Sequence, residues 1–370
     1  MTELVERGQA SALQLASPLF VGDTTIAGTV LETSHGHGTE WADRVIASLR
    51  PGERALVALP FRPDAAGVAH RVAIAPAPVF ALVAPRLAAA RHRVVELPSR
   101  AEYAARVRTA LDRIAAGGLH KVVLGRSVDV VSDPPLDADA ILARLLADRP
   151  GRYVFRVPLT DDLDGPVLIG ASPELLVSRR GRTVRSLPLA GSVARTADGA
   201  TDRHRERSLL ESAKDRREHA FVVDAVVAAL ADVCAGVVAD EPRIVSTDML
   251  HHLGTRIGGT LAANPAGPAS SALHLAQLLH PTPAIGGAPT ASALQAIAEL
   301  EPDRGPLTGA VGWVDADGDG EFAVAIRAGV LDGARLRLFA GAGIVAGSDP
   351  DAEVAETGAK LATMMKAVGL

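Results

Sequence analysis

The sequence predicts an α+β protein built on antiparallel sheet, and three observations carry that prediction. Short segments with strand-like alternation arrive in runs, separated by Gly, Pro and Asp turns. They do not alternate regularly with helical segments, as a doubly wound fold would require. The chain has 370 residues, 48% of them hydrophobic and 22% charged, enough for one large core or two ordinary ones. No internal repeat or low-complexity linker divides it, so residues 1–370 read as a single domain.

Residues 1–100 read as strands between Gly and Pro, among them 54–60 and 71–75. Apolar spacing over 102–116 is helical, and Gly117-Gly118 supplies the stop. A strand over 121–131 precedes a Pro-rich break and a helix at 137–147. Strands return at 153–157, 167–169, 175–178 and 184–186, and one long helix is expected over 203–234. Strands at 309–314 and 321–328 flank Asp315-Ala-Asp317-Gly-Asp319-Gly320, a hairpin signal, and Arg327 closes the second of them. A strand at 336–340 leads through Gly341-Ala342-Gly343 to a final helix at 352–368.

Composition excludes several functions. A net charge of −5 argues against a nucleic-acid binder, which needs a basic footprint. The one cysteine, Cys234, forms no intrachain disulfide and suits a reducing cytoplasm as a buried thiol in the long helix. The N-terminus is acidic early and lacks the order of a signal peptide, and the most apolar stretch, 221–238, contains Asp224 and Asp232. No membrane span is expected, and the location expected is cytoplasmic. Asp315-x-Asp317-x-Asp319-Gly320 imitates a calcium loop, but its twelfth position is Ile326 where a bidentate Glu is needed. Gly341-x-Gly343 imitates a dinucleotide fingerprint without the βαβ unit that such a site requires.

Only four of the 38 basic residues are lysines: Lys121, Lys214, Lys360 and Lys366. Arg stays protonated, whereas a Lys in an apolar stretch can serve as a neutral amine, and Lys121 lies in such a stretch. Glu353 and Glu356 share a helix face with Lys360 one turn below, as a surface pair or as part of a site. Lys214, Asp215, Glu218 and His219 form a second polar cluster. Two helices each offering a carboxylate could hold Mg²⁺, which takes few protein carboxylates and completes its shell with water and an anion. Spacing does not show whether those helices meet. Glu174 stands at a strand entrance among apolar residues, either an ordinary turn residue or an acid whose pKa burial would raise. His252 follows His251 on what reads as a loop, and Arg327 is suited to gripping a carboxylate bidentately.

Taken in order, the segments Lys121-Val-Val-Leu-Gly-Arg126, Gly170-Ala-Ser-Pro-Glu174, Pro188-Leu-Ala-Gly-Ser192, Lys214-Asp-Arg-Arg-Glu218-His219 and His252-Leu-Gly-Thr255 resemble the chorismate-utilising enzymes, most closely the isochorismate synthases. Leu279-His-Pro-Thr-Pro-Ala-Ile-Gly-Gly287, Gly312-Trp313, Ile326-Arg327, Gly341-Ala-Gly-Ile-Val345 and Glu353-x-x-Glu356-Thr357-x-x-Lys360 continue the resemblance over residues 100–370. Residues 1–100 match more weakly and are expected to complete the sheet.

The resemblance implies one chorismate-binding domain, its antiparallel sheets packed as a sandwich with helices outside. It implies water addition at C2 of chorismate with loss of the C4 hydroxyl. Lys121 would be the base and Glu174 the acid. Glu218 and Glu356 would be Mg²⁺ ligands, with Glu353 acting through water. Arg327, Lys360 and the Gly341 and Gly343 backbone would hold carboxylates. Gly191, Ser192, His252, Thr255, Ala284, Ile285 and Leu307 would line the substrate site. Ammonia-using relatives typically place Gln at position 121, so Lys121 favours hydration. Salicylate synthases are the alternative, but the apolar Ile285 and Leu307 stand where those enzymes are smaller or more polar and usually carry Tyr, respectively. A non-catalytic chorismate binder is disfavoured by the presence of both Lys121 and Glu174. The resemblance further implies a monomer, and leaves open whether the product feeds menaquinone or siderophore synthesis.

Overall fold

The computed structural model describes residues 18–75, 90–148, 152–263 and 271–370. Its pivot is the strand Thr25–Gly36, which pairs antiparallel with both Leu19–Val21 and Gly67–Ile74. A register shift between Val30 and Glu32 is a bulge, the device that bends a strand and strengthens its twist. One half of the sheet runs from Leu19–Val21 through Tyr153–Pro158, Val167–Ser172, Ala328–Asp332 and Arg335–Val345 to Lys121–Asp133. The other runs from Gly67–Ile74 through Glu53–Leu59, Ala310–Asp315, Gly320–Val324, Leu175–Arg180 and Thr183–Leu187 to Ile257–Leu261. Among the described residues the two halves make 17 strands, and Leu189–Ala194, Arg243–Ser246 and Leu250–Gly254 form a separate small sheet. These ladders are antiparallel, as hairpin-linked strands should be.

The two halves face each other. Phe20, Phe155 and Leu168 of one meet Leu56, Trp313 and Ala323 of the other in a shared core. Helices cover the outside. Ala138–Asp148 and Pro350–Ala367 lay Ile141, Leu145, Leu361 and Met364 on Val128, Val130 and Leu336. Arg100–Ala115, Ala213–Ala231, Ala272–Leu279 and Thr290–Leu300 enclose the largest cluster. This is the α+β sandwich that the sequence and its resemblance imply, and the first hundred residues do supply strands to it.

Local chemistry explains the punctuation. Ser99 and Glu102 close a reciprocal capping box on Arg100–Ala115, and Gly117 and Gly118 end that helix at φ of +88° and +80°. In the 315–320 turn the Asp315 carboxylate accepts from the backbone N–H of Asp317 and Asp319, so turn geometry accounts for the calcium-like spacing.

Five expectations need correction. The long helix is two, Gly199–Glu211 and Ala213–Ala231, because Ser212 is extended and its hydroxyl accepts from the Asp215 N–H as a new N-cap. Cys234 opens a strand, Cys234–Ala239, and does not lie in a helix. His251 and His252 are on the strand Leu250–Gly254. Gly341 and Gly343 lie inside the 11-residue strand Arg335–Val345, because their backbone continues the ladder with Gly125 and Val123. Arg327 stands beyond the end of Gly320–Val324 at φ +51°, a conformation that leaves the ladder. No helix among the described residues is long and apolar enough to cross a membrane.

Candidate active site

Lys121 begins the strand Lys121–Asp133, with Val345 on one side and Ala288 on the other. Its side chain is completely buried, and Nζ lies 3.2 Å from Glu218 Oε1 without the alignment of a hydrogen bond. Gly343 makes the approach possible: a Cβ there would sit 2.0 Å from Glu218 Oε1 and 3.1 Å from Lys121 Cε. The strand thus omits a side chain where helix Ala213–Ala231 presses its carboxylate in.

Helix Pro350–Ala367 brings two more carboxylates. Lys360 Nζ reaches Glu356 at 2.6 Å and donates to the Gly341 carbonyl at 2.9 Å. Ser192 donates to Glu356 at 3.2 Å. Glu353, 1% exposed, receives Lys214 of the neighbouring helix at 3.0 Å. The two helices that spacing could not bring together therefore meet here, and Lys214 is the bridge. Burial and then repulsion from Glu356 raise the pKa of Glu353. Burial is the largest influence on Glu356 and acts upward, but Lys360, Lys214 and Ser192 together outweigh it and hold that carboxyl low.

Glu174 lies between the strands Val167–Ser172 and Leu175–Arg180, 3% exposed. Loss of water raises its pKa to about 7, against one backbone donor, Leu189, and the cations Lys121, Arg327 and Lys360. Leu189 N–H is a weak donor at 3.4 Å. Arg327 is brought down to about 10 by burial, which Glu356 and Glu174 oppose. Its Nη2 lies 3.3 Å from His252 Nε2. Burial and the positive charge of Arg327 hold His252 well below its usual pKa, so it stays a neutral acceptor to Arg327, while the Gly191 carbonyl pulls the other way.

Glu174, Glu218, Arg327 and Lys360 thus line one small cavity of about 60 Å³, with Lys121 set against Glu218 and Glu356 against Lys360. Gly191, Ser192, His252, Ala284, Ile285, Gly341 and Gly343 are in its wall. A roomier cleft of about 330 Å³ lies against Leu59, Pro60 and His274, but its lining has no carboxylate or amine. The chemistry is in the smaller space.

A family model described as chorismate binding enzyme matches residues 83–369. The chain belongs to the chorismate-binding enzymes. It is 44% identical over 284 residues to the isochorismate synthase DhbC of Bacillus subtilis, covering 75% of this chain and 70% of that protein. It is also 44% identical over 276 residues to the isochorismate synthase EntC of Escherichia coli, covering 74% and 68%. The crystal structure of DhbC from Bacillus anthracis superposes with a TM-score of 0.86 at 38% identity, over 96% of both chains.

Within this chorismate-binding fold the expected site residues separate into three groups. Glu174, Gly191, Ser192, Glu218, His252, Ala284, Ile285, Arg327, Gly341, Gly343 and Lys360 stand in the cavity wall. Lys121, Thr255, Glu353 and Glu356 stand behind it, Lys121 against Glu218, Glu356 against Ser192 and Lys360, and Thr255 joined to His219 at 2.8 Å. Leu307 is elsewhere: it packs in the sandwich core with Phe20, Val311 and Phe339. Thr308, at φ +61°, takes the cavity position instead, because that turn reverses which neighbour faces inward. Sequence reasoning also missed Val123, Phe339 and Ile326 as lining residues. For Val123 the signal was available, since it is two residues from Lys121 and shares its face.

Proposed function

We propose that the chain is an isochorismate synthase that adds water at C2 of chorismate while the C4 hydroxyl departs. One observation carries this: a buried carboxyl that holds its proton to about pH 7, Glu174, lines one cavity with Arg327 and Lys360, and the buried amine of Lys121 stands just behind that wall against Glu218. Lys121 takes a proton from water as its oxygen bonds to C2. The ring double bond shifts, the C4–O bond breaks, and Glu174 gives its proton to the departing hydroxyl, which leaves as water. Atoms balance, and the product is an isomer of the substrate.

Arg327 and Lys360 suit the two carboxylates of chorismate. Arg327 is held by His252, which presents it without adding a charge. Ile285, 3% exposed in the wall, keeps that side apolar and speaks for isochorismate over onward conversion to salicylate. Leu307 no longer contributes to that distinction.

The residues present also suit Mg²⁺, as oxygen donors of the right hardness. The mutual repulsion of Glu353 and Glu356 is the mark of a place short of positive charge. Among the described residues no three acidic or imidazole groups stand clustered as a ready-made metal cage, because each glutamate is turned to a lysine. Glu218 and Glu356 would hold the ion, with Glu353 behind them, and when bound it would neutralise the ring carboxylate. Charge balance supports joint entry: with Glu174 protonated and Lys121 as the free base, three carboxylates (Glu218, Glu353, Glu356) face three cations (Lys214, Lys360, Arg327), so a dianion and a dication arrive together without net change. Incubation with chorismate and Mg²⁺ followed by chromatography tests the reading. Isochorismate is the expected product; salicylate would move the assignment to the alternative, and absence of turnover would overturn it.

A further inference from the structure

The strand that carries Lys121 keeps Arg335–Val345 along one edge but loses its partner on the other just past Val122. Gly287 and Ala288 pair with Val122 and Lys121, and Arg91–Leu97 pairs only from Ser127 onward. Between them the outer edge of Val123–Arg126 has no strand beside it among the described residues. Side chains take over. Val123 N–H donates to the Gly286 carbonyl at 2.7 Å. The Val123 carbonyl accepts from Arg304 Nη2 at 2.8 Å, and Gly125 N–H donates to Glu301 Oε1 at 2.6 Å.

Glu301 and Arg304 are themselves a closed pair, each side chain 1% exposed. Nε of Arg304 donates to Glu301 Oε2 at 2.9 Å and Nη2 to Oε1 at 3.1 Å. Nη1 donates to the Ile285 carbonyl at 2.9 Å and to Thr308 Oγ1 at 3.4 Å. All five donors of the guanidinium are therefore used. Its Cζ also lies 4.8 Å from the centroid of the Phe339 ring and 4.2 Å from that of Phe61. Val123, Ile285, Thr308 and Phe339 all line the cavity, and one guanidinium that does not enter the cavity touches every one of them.

We infer that the Glu301–Arg304 pair is a positioning element for the reaction, a surrogate strand that fixes the Lys121 strand and three other segments of the cavity wall in mutual register. The inference rests on the proposed hydration reaction for its kinetic arm and on the backbone contacts alone for its structural arm. Lys in place of Arg304 keeps the charge but offers three donors without the planar fork, so it cannot hold four partners at once.

In Arg304→Lys the expected result is a folded enzyme whose kcat falls on the order of 10²-fold, the effect of misplacing a reacting group by about 1 Å, while KM changes little. Amide exchange in the segment 121–127 should accelerate at least tenfold in the same variant, whatever the activity. A variant with a lowered Tm but wild-type kcat, or with unchanged exchange at 121–127, would overturn the inference and leave Arg304 a stabilising residue only. If Arg304→Lys does not fold, Glu301→Gln decides by the same measurements: it keeps an acceptor for Gly125 but weakens the pair, and should lose about 10-fold in kcat. Wild-type protein that made no isochorismate would refute the proposed function, while the exchange measurement would still judge the strap.

Discussion

Glu174 and Glu321 are two buried carboxyls with the same raised proton affinity, both at about pKa 7 and both because burial strips their water. Their surroundings differ. Glu174 opens on a cavity with an amine, a guanidinium and a second amine around it. Glu321 is sealed beneath the turn at Gly22: Oε2 accepts the Asp23 N–H at 3.0 Å, Oε1 has no hydrogen-bond partner among the described residues, and Phe20 and Tyr153 close the space. Asp23 adds to the burial effect, and Arg180 and Arg152 oppose it. A displaced pKa therefore reports burial. It becomes a catalytic property only where a base, an anion grip and room for a ligand share the same walls.

Exchange of each acid for its amide separates the two most sharply. Glu174→Gln should lose 10²- to 10⁴-fold in turnover, roughly the contribution of one general acid, while Glu321→Gln should retain wild-type turnover. Lys121→Gln should lose a similar factor with the fold intact, measured by circular dichroism beside the assay. In the wild type, kcat/KM should fall as pH rises above about 7, because the free enzyme then loses the Glu174 proton, and Glu321→Gln should leave that limb in place. A near-wild-type Glu174→Gln enzyme would erase the distinction drawn here.

Much of this contrast was legible in the sequence, and the reason is locality. Lys121 and Glu174 stood out because an ionisable residue in an apolar run is conspicuous without any long-range contact. The strands and the 315–320 turn followed from alternation and turn chemistry in the same way. What was hidden depends on direction or distance. Ser212 breaks a helix inside a sequence that reads as helical throughout, since its capping bond to Asp215 competes with a continuation that looks equally good. Gly341 and Gly343 hid a strand because glycine has no side chain to show alternation. The Lys214–Glu353 bridge joins residues 139 positions apart, so spacing could place Lys214 only in a polar cluster of its own helix. Glu321 drew no notice as an ionisable group, being one end of a strand beside a turn.

The carboxylates at the helix ends give the next largest effect. Glu356→Gln should weaken Mg²⁺ binding about 10- to 100-fold and lower turnover in parallel, with added metal restoring part of it. The same change in Glu321, remote from the glutamate–lysine pairs, should leave Mg²⁺ titrations unchanged. Turnover that persists unchanged in EDTA would remove the metal from the reading.

For stability the ranking of the two acids disappears. A carboxyl whose folded pKa is raised favours the folded state fully below its unfolded value of 4.5 and loses that contribution as pH rises through about 7. Glu321 should thus cost the folded protein about 3 kcal/mol at pH 8 relative to pH 4, and Glu321→Gln should flatten that slope and be the more stable form at pH 8. Glu174→Gln should flatten it too. Chemical denaturation at pH 5 and pH 8 measures both; a Glu321→Gln protein with the wild-type slope would mean that its carboxyl is already ionised in the fold.

The smallest effect on chemistry is expected at Leu307, which faces the sandwich core while its neighbour Thr308 faces the cavity. Leu307→Tyr introduces the residue that resemblance associates with salicylate formation, yet here it would enter packed apolar space beside Phe20 and Phe339. The cost should be one of overpacking, roughly 1–3 kcal/mol in denaturation, with isochorismate still the product. Chromatography of the product mixture decides it. A shift toward salicylate would show that the 304–308 turn can present position 307 to the cavity, and Thr308 at φ +61° would then be one of two arrangements of that turn.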